Sequence, residues 1–260
     1  MTLPLAVGLV AFTVVLSPPL VRVMDRAAGY PIALAFFAAA GVIASQFPTI
    51  REGGELRWGF EWARDVMGTG TSISFALRAD GLSIFFALLA LTIGGVVMLY
   101  SAAYLPEKKG NVSFYTIMTA FTLSVLLLVL ANDVVLLFIA WELVSIASFM
   151  LIARSGSSGE DGSYRTLILT FFGGLTLLAG LAIAAVQAGS TSLEDVLAHD
   201  WDPNSKLTVV VALLIAFSGF TKAAQFPFHF WLPEAMAAAT PVSCLLYTSD
   251  AADDTPYVDL

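Results

Sequence analysis

The sequence predicts an all-α fold, a polytopic membrane helix bundle of about seven spans. Three observations predict it. The chain is 58% hydrophobic and only 12% charged, where soluble domains carry roughly 25% charged residues. Its mean hydropathy is +0.85, an apolar excess that no water-facing core of this size can hide, so lipid must be the solvent for much of the chain. The apolar residues also come in windows of about 20, the length that crosses roughly 30 Å of hydrocarbon.

The windows place spans near residues 3–21, 31–48, 82–104, 113–131, 134–153, 165–187 and 207–226. The first ends at Pro18-Pro19 and the Arg22, Asp25, Arg26 cluster. It has no Lys or Arg before its apolar run, as a cleavable signal peptide needs, and is read as a membrane helix. The third opens after Asp80-Gly81 and closes before the Glu107-Lys108-Lys109-Gly110 turn. Asn132-Asp133 parts the fourth span from the fifth, and short polar side chains there accept from free backbone N–H groups. Asp133 thus has two readings, a helix cap and a proton entry site. The fifth span stops at Arg154, before a Ser/Gly-rich loop, Ser155–Ser163. In the seventh, Phe226-Pro227 breaks the apolar run, and the semi-apolar Phe228–Ser243 could re-enter the membrane.

Two longer segments lie outside the spans. The stretch from Pro48 to Asp80 mixes charges with Trp58, Phe60 and Trp62, and its Ser72–Arg78 end alternates with period two. That alternation predicts a short strand or hairpin outside the membrane. The segment Ser190–Lys206 holds four acidic residues and His199, which is read as solvated loop. With the N-terminus outside, the inner loops carry Arg22, Arg26, Lys108, Lys109, Arg154 and Arg165. The outer ones carry Arg51, Arg57, Arg64, Arg78 and Lys206; leaving out the acid-balanced 48–80 stretch, the bias becomes six against one and favours that orientation.

Three regions follow: 1–81, N-terminal membrane helices with an outer loop; 82–243, the main membrane domain; and 244–260, a tail. The string Cys244–Leu260 resembles a translated reading frame of a sequencing adapter, and the tail is read as non-native rather than as an acidic soluble extension. The net charge of −8 includes its Asp250, Asp253, Asp254 and Asp259; without them 16 acidic residues face 12 basic ones, or −4. No basic arm is present, so nucleic acid is not an expected partner. The lone cysteine, Cys244, excludes a disulfide framework, a Cys-rich zinc site and a cysteine-ligated iron–sulfur cluster. No cofactor and no metal site are expected.

Chemistry concentrates on a few residues. A charge at bilayer depth costs about 2.5–3.5 kcal/mol on insertion scales. Glu142 sits near the middle of the fifth span and is too short to reach water. It must be neutral, paired or facing a hydrated cavity, and Ser145 and Ser148 make its helix face partly polar. Lys222 in the seventh span is the expected partner, near Gly219 and Pro227, which suggest a discontinuous helix. A Glu–Lys pair in lipid has adjustable protonation; the plainer reading is a pair that pins two helices. His229 is a candidate proton relay, or a helix-end residue bonded to backbone. The glycosylation pattern Asn111-Val112-Ser113 is read as chance, and Gly68–Ser72 lacks the lysine of a phosphate loop.

Two long motifs carry a resemblance. They are Trp141-Glu142-Leu143-Val144-Ser145-Ile146-Ala147-Ser148-Phe149-Met150-Leu151-Ile152 and Thr221-Lys222-Ala223-Ala224-Gln225-Phe226-Pro227-Phe228-His229-Phe230-Trp231-Leu232-Pro233-Glu234-Ala235-Met236. With Phe75–Ser83, they resemble the antiporter-like subunits shared by respiratory complex I and the Mrp-type Na⁺/H⁺ antiporters, over residues 1–243. The Trp-Glu-Leu-x-Ser-x-x-Ser-Phe form is most similar to the A-type subunit of the Mrp antiporters. The resemblance implies an antiporter-like fold, a membrane carboxylate at Glu142, a partner lysine at Lys222 on a broken helix, and proton transfer along a hydrated axis. It also implies other membrane subunits as partners, protons and Na⁺ as cargo, and a bacterial-type plasma membrane. The family pattern continues after Ser243 with a histidine and further lysines that are not present here, so the resemblance implies an N-terminal fragment of a longer chain. Two other functions stay open: a proton-pumping subunit of complex I or a membrane-bound hydrogenase, and a non-transporting scaffold.

Overall fold

The computed structural model of the chain describes residues 2–63, 72–106, 111–154 and 157–235. The tail 244–260, and with it Cys244, lies outside the described residues. Helices dominate: α1 (Thr2–Met24), α2 (Gly29–Ala44), α3 (Phe47–Arg51), α4 (Gly81–Tyr104), α5 (Asn111–Leu130), α6 (Val134–Ala153), α7 (Ser157–Ala188), α8 (Leu193–Ala198), α9 (Lys206–Lys222) and α10 (Trp231–Ala235). Between α3 and α4 the chain forms an antiparallel hairpin of β1 (Leu56–Ala63) and β2 (Ile73–Ala79).

Each of the seven predicted windows falls on a helix. Among the described residues, five helical stretches are long and apolar enough to cross a membrane: Thr2–Arg51, Gly81–Tyr104, Asn111–Leu130, Val134–Ala153 and Tyr164–Ala188. The first is 50 residues long and contains α1 and α2, which pack on each other. Its break comes at Asp25, whose φ of 48° lies in the left-handed region that Asp tolerates better than most residues. At 17 residues α9 is shorter than a full crossing. Helix α2 packs on α4, α1 on α5, and α6 stands between α5 and α7, with α9 and α10 against α7. Large apolar side chains such as Phe36, Ile32, Leu91, Met98, Met118 and Phe121 fill the seams. The outer faces carry exposed Leu34, Phe85, Ile168 and Val186, as expected where lipid is the solvent.

Three boundaries differ from the sequence reading. Helix α7 starts at Ser157, so most of the predicted loop Ser155–Ser163 is helical; extending a formed helix costs little per residue. Helix α9 ends at Lys222, before Phe226. And β1 is a full strand: Leu56, Trp58, Phe60 and Trp62 alternate with Arg57, Gly59 and Glu61, and Phe60 stacks on Phe75 of β2 at 5.5 Å.

The hairpin belongs to a polar layer that closes one end of the bundle. Asp133, fully buried, caps α6 by accepting from Val135 N at 2.8 Å. Its other oxygen accepts from Thr191 Oγ1 at 2.7 Å and from the Ser74 backbone N at 3.3 Å. Backbone bonds run alongside: Asn132 N donates to Ala76 O at 2.9 Å, and Val134 N to Thr191 O at 2.8 Å. Of the two readings of Asp133, the cap is what the geometry shows. At the other end, Asn111 Nδ2 donates to Asp25 Oδ1 at 2.8 Å, Tyr115 Oη donates to Arg26 O at 2.8 Å, and Arg154 pairs with Ser113.

Salt bridges tie the hairpin outward. Glu55 binds Arg78 at 2.6 Å and Arg57 at 2.9 Å, and Arg57 reaches Glu194 of α8 at 2.7 Å. Hydrogen bonds from Arg78, then Arg57, hold the Glu55 carboxyl down at about 2, against 4.5 unperturbed. A depressed carboxyl supports the folded state above its unfolded value and loses that support as pH falls through the folded one. The hairpin is therefore expected to stay fastened above pH 4.5 and to loosen as pH falls toward about 2. Tryptophan fluorescence of Trp58 and Trp62 checks this: the wild-type signal changes across that window, and a Glu55→Gln variant lacks the transition. An identical transition in the variant rules Glu55 out.

Candidate functional site

Helix α6 places Glu142 midway along its length because the surrounding run, Val134–Ala153, is otherwise apolar and starts at a firm cap. The residues on either side of Glu142 in the helix matter as much. Trp141 precedes it, and Ser145, three residues on, shares its face. Ser145 is 2% exposed and donates to Trp141 O at 3.2 Å.

Lys222 arrives from α9, on the last residue of that helix. Its Nζ donates to Ser145 Oγ at 2.7 Å and to Trp141 O at 3.3 Å, and lies 5.2 Å from the centre of the Trp141 ring. Lys222, predicted to pair with Glu142, thus reaches α6 at Trp141 and Ser145, the residues on either side of Glu142.

The third wall is α7. At Gly174 a Cβ would collide with Glu142 Oε1 and lie 2.8 Å from its Cδ. At Gly173 it would collide with Thr221 Oγ1 and lie 3.0 Å from Thr221 Cβ. Two glycines thus let α7 press its backbone against both the carboxyl and the residue before the lysine. Three buried polar atoms here have no hydrogen-bond partner among the described residues: Glu142 Oε1, Trp141 Nε1 and Ser218 Oγ. Buried polar atoms nearly always have one. Two of the three lie on adjacent residues of α6 and the third on α9, one turn before Lys222.

The broken helix is as the sequence predicts. After Lys222 the chain passes through Ala224, with φ of 50°, and resumes as α10 at Trp231. The end of a helix leaves carbonyls unpaired, and the buried Trp231 indole donates to Thr221 O at 3.0 Å. Phe217 meets both Phe172 of α7 (5.8 Å) and Phe228 (5.0 Å), packing the turn against the bundle. His229 stands apart from these residues: it is exposed, and its ring stacks on Phe226 at 5.8 Å. His199 lies past the end of α8 with its ring against Trp201 at 4.9 Å.

Sequence reasoning gave no role to Trp141, Gly173, Gly174, Ser218 or Trp231. A Gly-Gly pair inside an apolar span was the available signal, since small residues mark close helix approach in membranes.

Two family models match. One, described as NADH:quinone oxidoreductase/Mrp antiporter, TM, covers residues 131–252; the other, NADH-ubiquinone oxidoreductase (complex I), chain 5 N-terminus, covers residues 66–115. The chain is 36% identical over 232 residues to a Staphylococcus aureus (strain MRSA252) protein named as antiporter subunit mnhA2, covering 88% of this chain and 28% of that one. A protein of the same name from Staphylococcus saprophyticus is 36% identical over 229 residues, covering 86% and 28%. Among solved structures, a chain of the Mrp complex from Dietzia sp. DQ12-45-1b superposes with a TM-score of 0.85 at 40% identity, covering 95% of this chain and 26% of that one. A chain of the membrane-bound sulfane sulfur reductase, an archaeal respiratory membrane complex, shares the fold at 0.79 and 21% identity, covering 95% and 39%. The chain thus spans under a third of the length of the curated relatives it matches. Both halves of the described bundle, and both motifs that hold Glu142 and Lys222, fall within these matches, and the chain belongs to the NADH:quinone oxidoreductase/Mrp antiporter family of multi-pass membrane proteins, on the side of its Mrp A-type members.

Proposed function

We propose that this chain is the proton-translocating part of a multisubunit Na⁺/H⁺ antiporter, a component of an ion transporter rather than an enzyme. It works with other membrane subunits in the plasma membrane, its N-terminus outside. One observation carries the reading: the Lys222 ammonium is seated on Trp141 and Ser145, the residues flanking a carboxyl whose Oε1 is buried and unpartnered. A pair that only pinned helices has no use for an oxygen left without a partner, which costs about 1–3 kcal/mol when buried. Glu142 takes up and releases the proton. Lys222 changes the carboxyl's proton affinity by approaching or withdrawing. His229, exposed beside the helix break, connects onward to a following helix.

The test uses membrane vesicles holding the complete complex. Na⁺-dependent proton movement is expected to fall at least about tenfold in Glu142→Ala and in Glu142→Gln, a loss of about 1.4 kcal/mol or more in the rate-limiting barrier. Normal transport in both sinks the role. Lowered stability of Glu142→Gln with unchanged flux per folded complex favours the scaffold. The matching family takes in NADH:quinone oxidoreductase as well as Mrp antiporter, so a respiratory membrane arm is the second reading. Co-purification of flavin or iron–sulfur subunits decides for it.

A further inference from the structure

We propose that the outward face of α4 meets lipid rather than another subunit in the assembled complex, and that Arg22 draws anionic phospholipid headgroups to the tyrosine end of that face. The proposal goes beyond the reading of Glu142 and Lys222 and does not depend on it.

Helix α4 is divided by side-chain size. Its small residues point inward. A Cβ on Gly94 would lie 3.3 Å from Phe36 of α2 and 3.2 Å from Thr122 of α5. Gly95 packs on Phe37 in the same way, and Ala87 and Ala102 are buried. Its bulky residues point outward. Leu82, Phe85, Leu89, Val96 and Tyr100 are each more than a third exposed, at spacings of three, four or seven residues, which keeps them on one stripe. From Leu82 to Tyr100 every exposed residue except Thr92 is a large hydrophobe. Helices that dock in a membrane favour small residues at the contact, which let backbones approach. Helix α4 places its own against α2 and α5.

The stripe has the length and the ending of a bilayer contact. From Leu82 to Tyr100 it runs about 27 Å at roughly 1.5 Å per residue, close to the ~30 Å of hydrocarbon. At one end the exposed Tyr100 and Tyr104 stack at 5.2 Å, and such amphipathic rings favour the headgroup level. A Cβ on Gly29 would strike Met98 O and Ala102, so the next residue, the exposed Tyr30, stands at the same depth.

Charge fits this end too. The link between α1 and α2, Asp25–Ala28, packs on α4. Arg22, one turn before it, is exposed beside the exposed Val23 and Met24. The acid of the link, Asp25, already accepts from Asn111 at 2.8 Å. The hairpin end, by contrast, carries Glu52, Glu55, Glu194 and Asp195 among its arginines. An anionic headgroup is therefore attracted to the tyrosine end.

The test uses the complete complex, its other reactive cysteines replaced, in a bilayer of phosphatidylglycerol and phosphatidylcholine. Nitroxide labels are placed at Leu89→Cys and Val96→Cys. Dioxygen concentrates in hydrocarbon, and is expected to relax both labels at least about half as strongly as a nitroxide on a phospholipid acyl chain. Weaker relaxation at both means that a subunit covers the stripe, and overturns the proposal. Failure of both variants to assemble overturns it as well, since a lipid-facing position tolerates a cysteine. For the headgroup, a fluorophore is placed at Val23→Cys. Nitroxide-bearing phosphatidylglycerol is expected to quench it about twofold or more better than nitroxide-bearing phosphatidylcholine. Adding Arg22→Gln is expected to abolish that preference, and Arg22→Lys to keep it. No preference with Arg22 present, or an unchanged one in Arg22→Gln, removes the role of Arg22.

Discussion

Replacing Asp133 with alanine is expected to destabilise the protein by roughly 2–4 kcal/mol, a large share of what holds a domain together. The carboxyl is fully buried and serves three chain segments. Losing the cap on α6 costs about 1 kcal/mol. The Ser74 backbone N–H then loses its acceptor, at about 1–3 kcal/mol for a group left unsatisfied, while the Thr191 hydroxyl can still donate to Ser72 O at 3.1 Å. Asp133→Asn keeps one acceptor oxygen for the cap and presents an NH₂ to those donors, so an intermediate loss is expected. Thermal unfolding of the detergent-purified complex ranks the three proteins, and an Asp133→Ala midpoint equal to wild type removes the argument. Flux per folded complex should stay unchanged in Asp133→Asn. A loss there would return Asp133 to the role of proton entry.

The second large effect separates two adjacent glycines. An alanine at 173 drives its methyl into Thr221, whose β-branched side chain has little rotamer freedom, so α7 and α9 must part. Overpacking of this kind costs about 1–3 kcal/mol or more. An alanine at 174 meets only the end of the Glu142 side chain, which can rotate away. Gly174→Ala is therefore expected to assemble at near wild-type levels while Na⁺-dependent proton movement falls about tenfold or more, because the carboxyl has been moved off its place. Gly173→Ala is expected to lose assembled complex first. Yield and thermal midpoint of the purified complexes, beside vesicle transport, tell the two apart. Equal behaviour of the variants counts against the separate contacts.

The helices were legible because lipid imposes a simple rule, about 20 apolar residues without a gap, and the apolar windows follow it. Glu142 and Lys222 were legible for the same reason inverted, as charges where none should be. What the sequence hid was relational. Strand β1 alternates as clearly as β2, but its Arg57, Glu61 and paired tryptophans read as a mixed surface until the partner strand fixes a face. Ser145 is one of two hydroxyls on its helix, and nothing in α6 alone says that a lysine 77 residues away will sit on it. Gly173 and Gly174 gain meaning only from what α6 and α9 bring against them. The start of α7 was misread because serines and glycines weigh against a helix one at a time, whereas tens of residues of continuing helix behind them outweigh that preference.

The two polar end layers also count crossings. Ser74, Asp133 and Thr191 meet in one cluster, though α4 and α5 lie between the first two and α6 and α7 between the last two. Asp25 and Asn111 meet at the opposite end with α2 and α4 between them. Each meeting is possible only if the intervening helices run as an out-and-back pair, so the hydrogen bonds act as a parity check on insertion. A chain in which one helix failed to cross would strand a buried carboxylate on the wrong side of the bilayer from its hydroxyl partners. Misthreaded copies thereby lose the bonds that close the bundle.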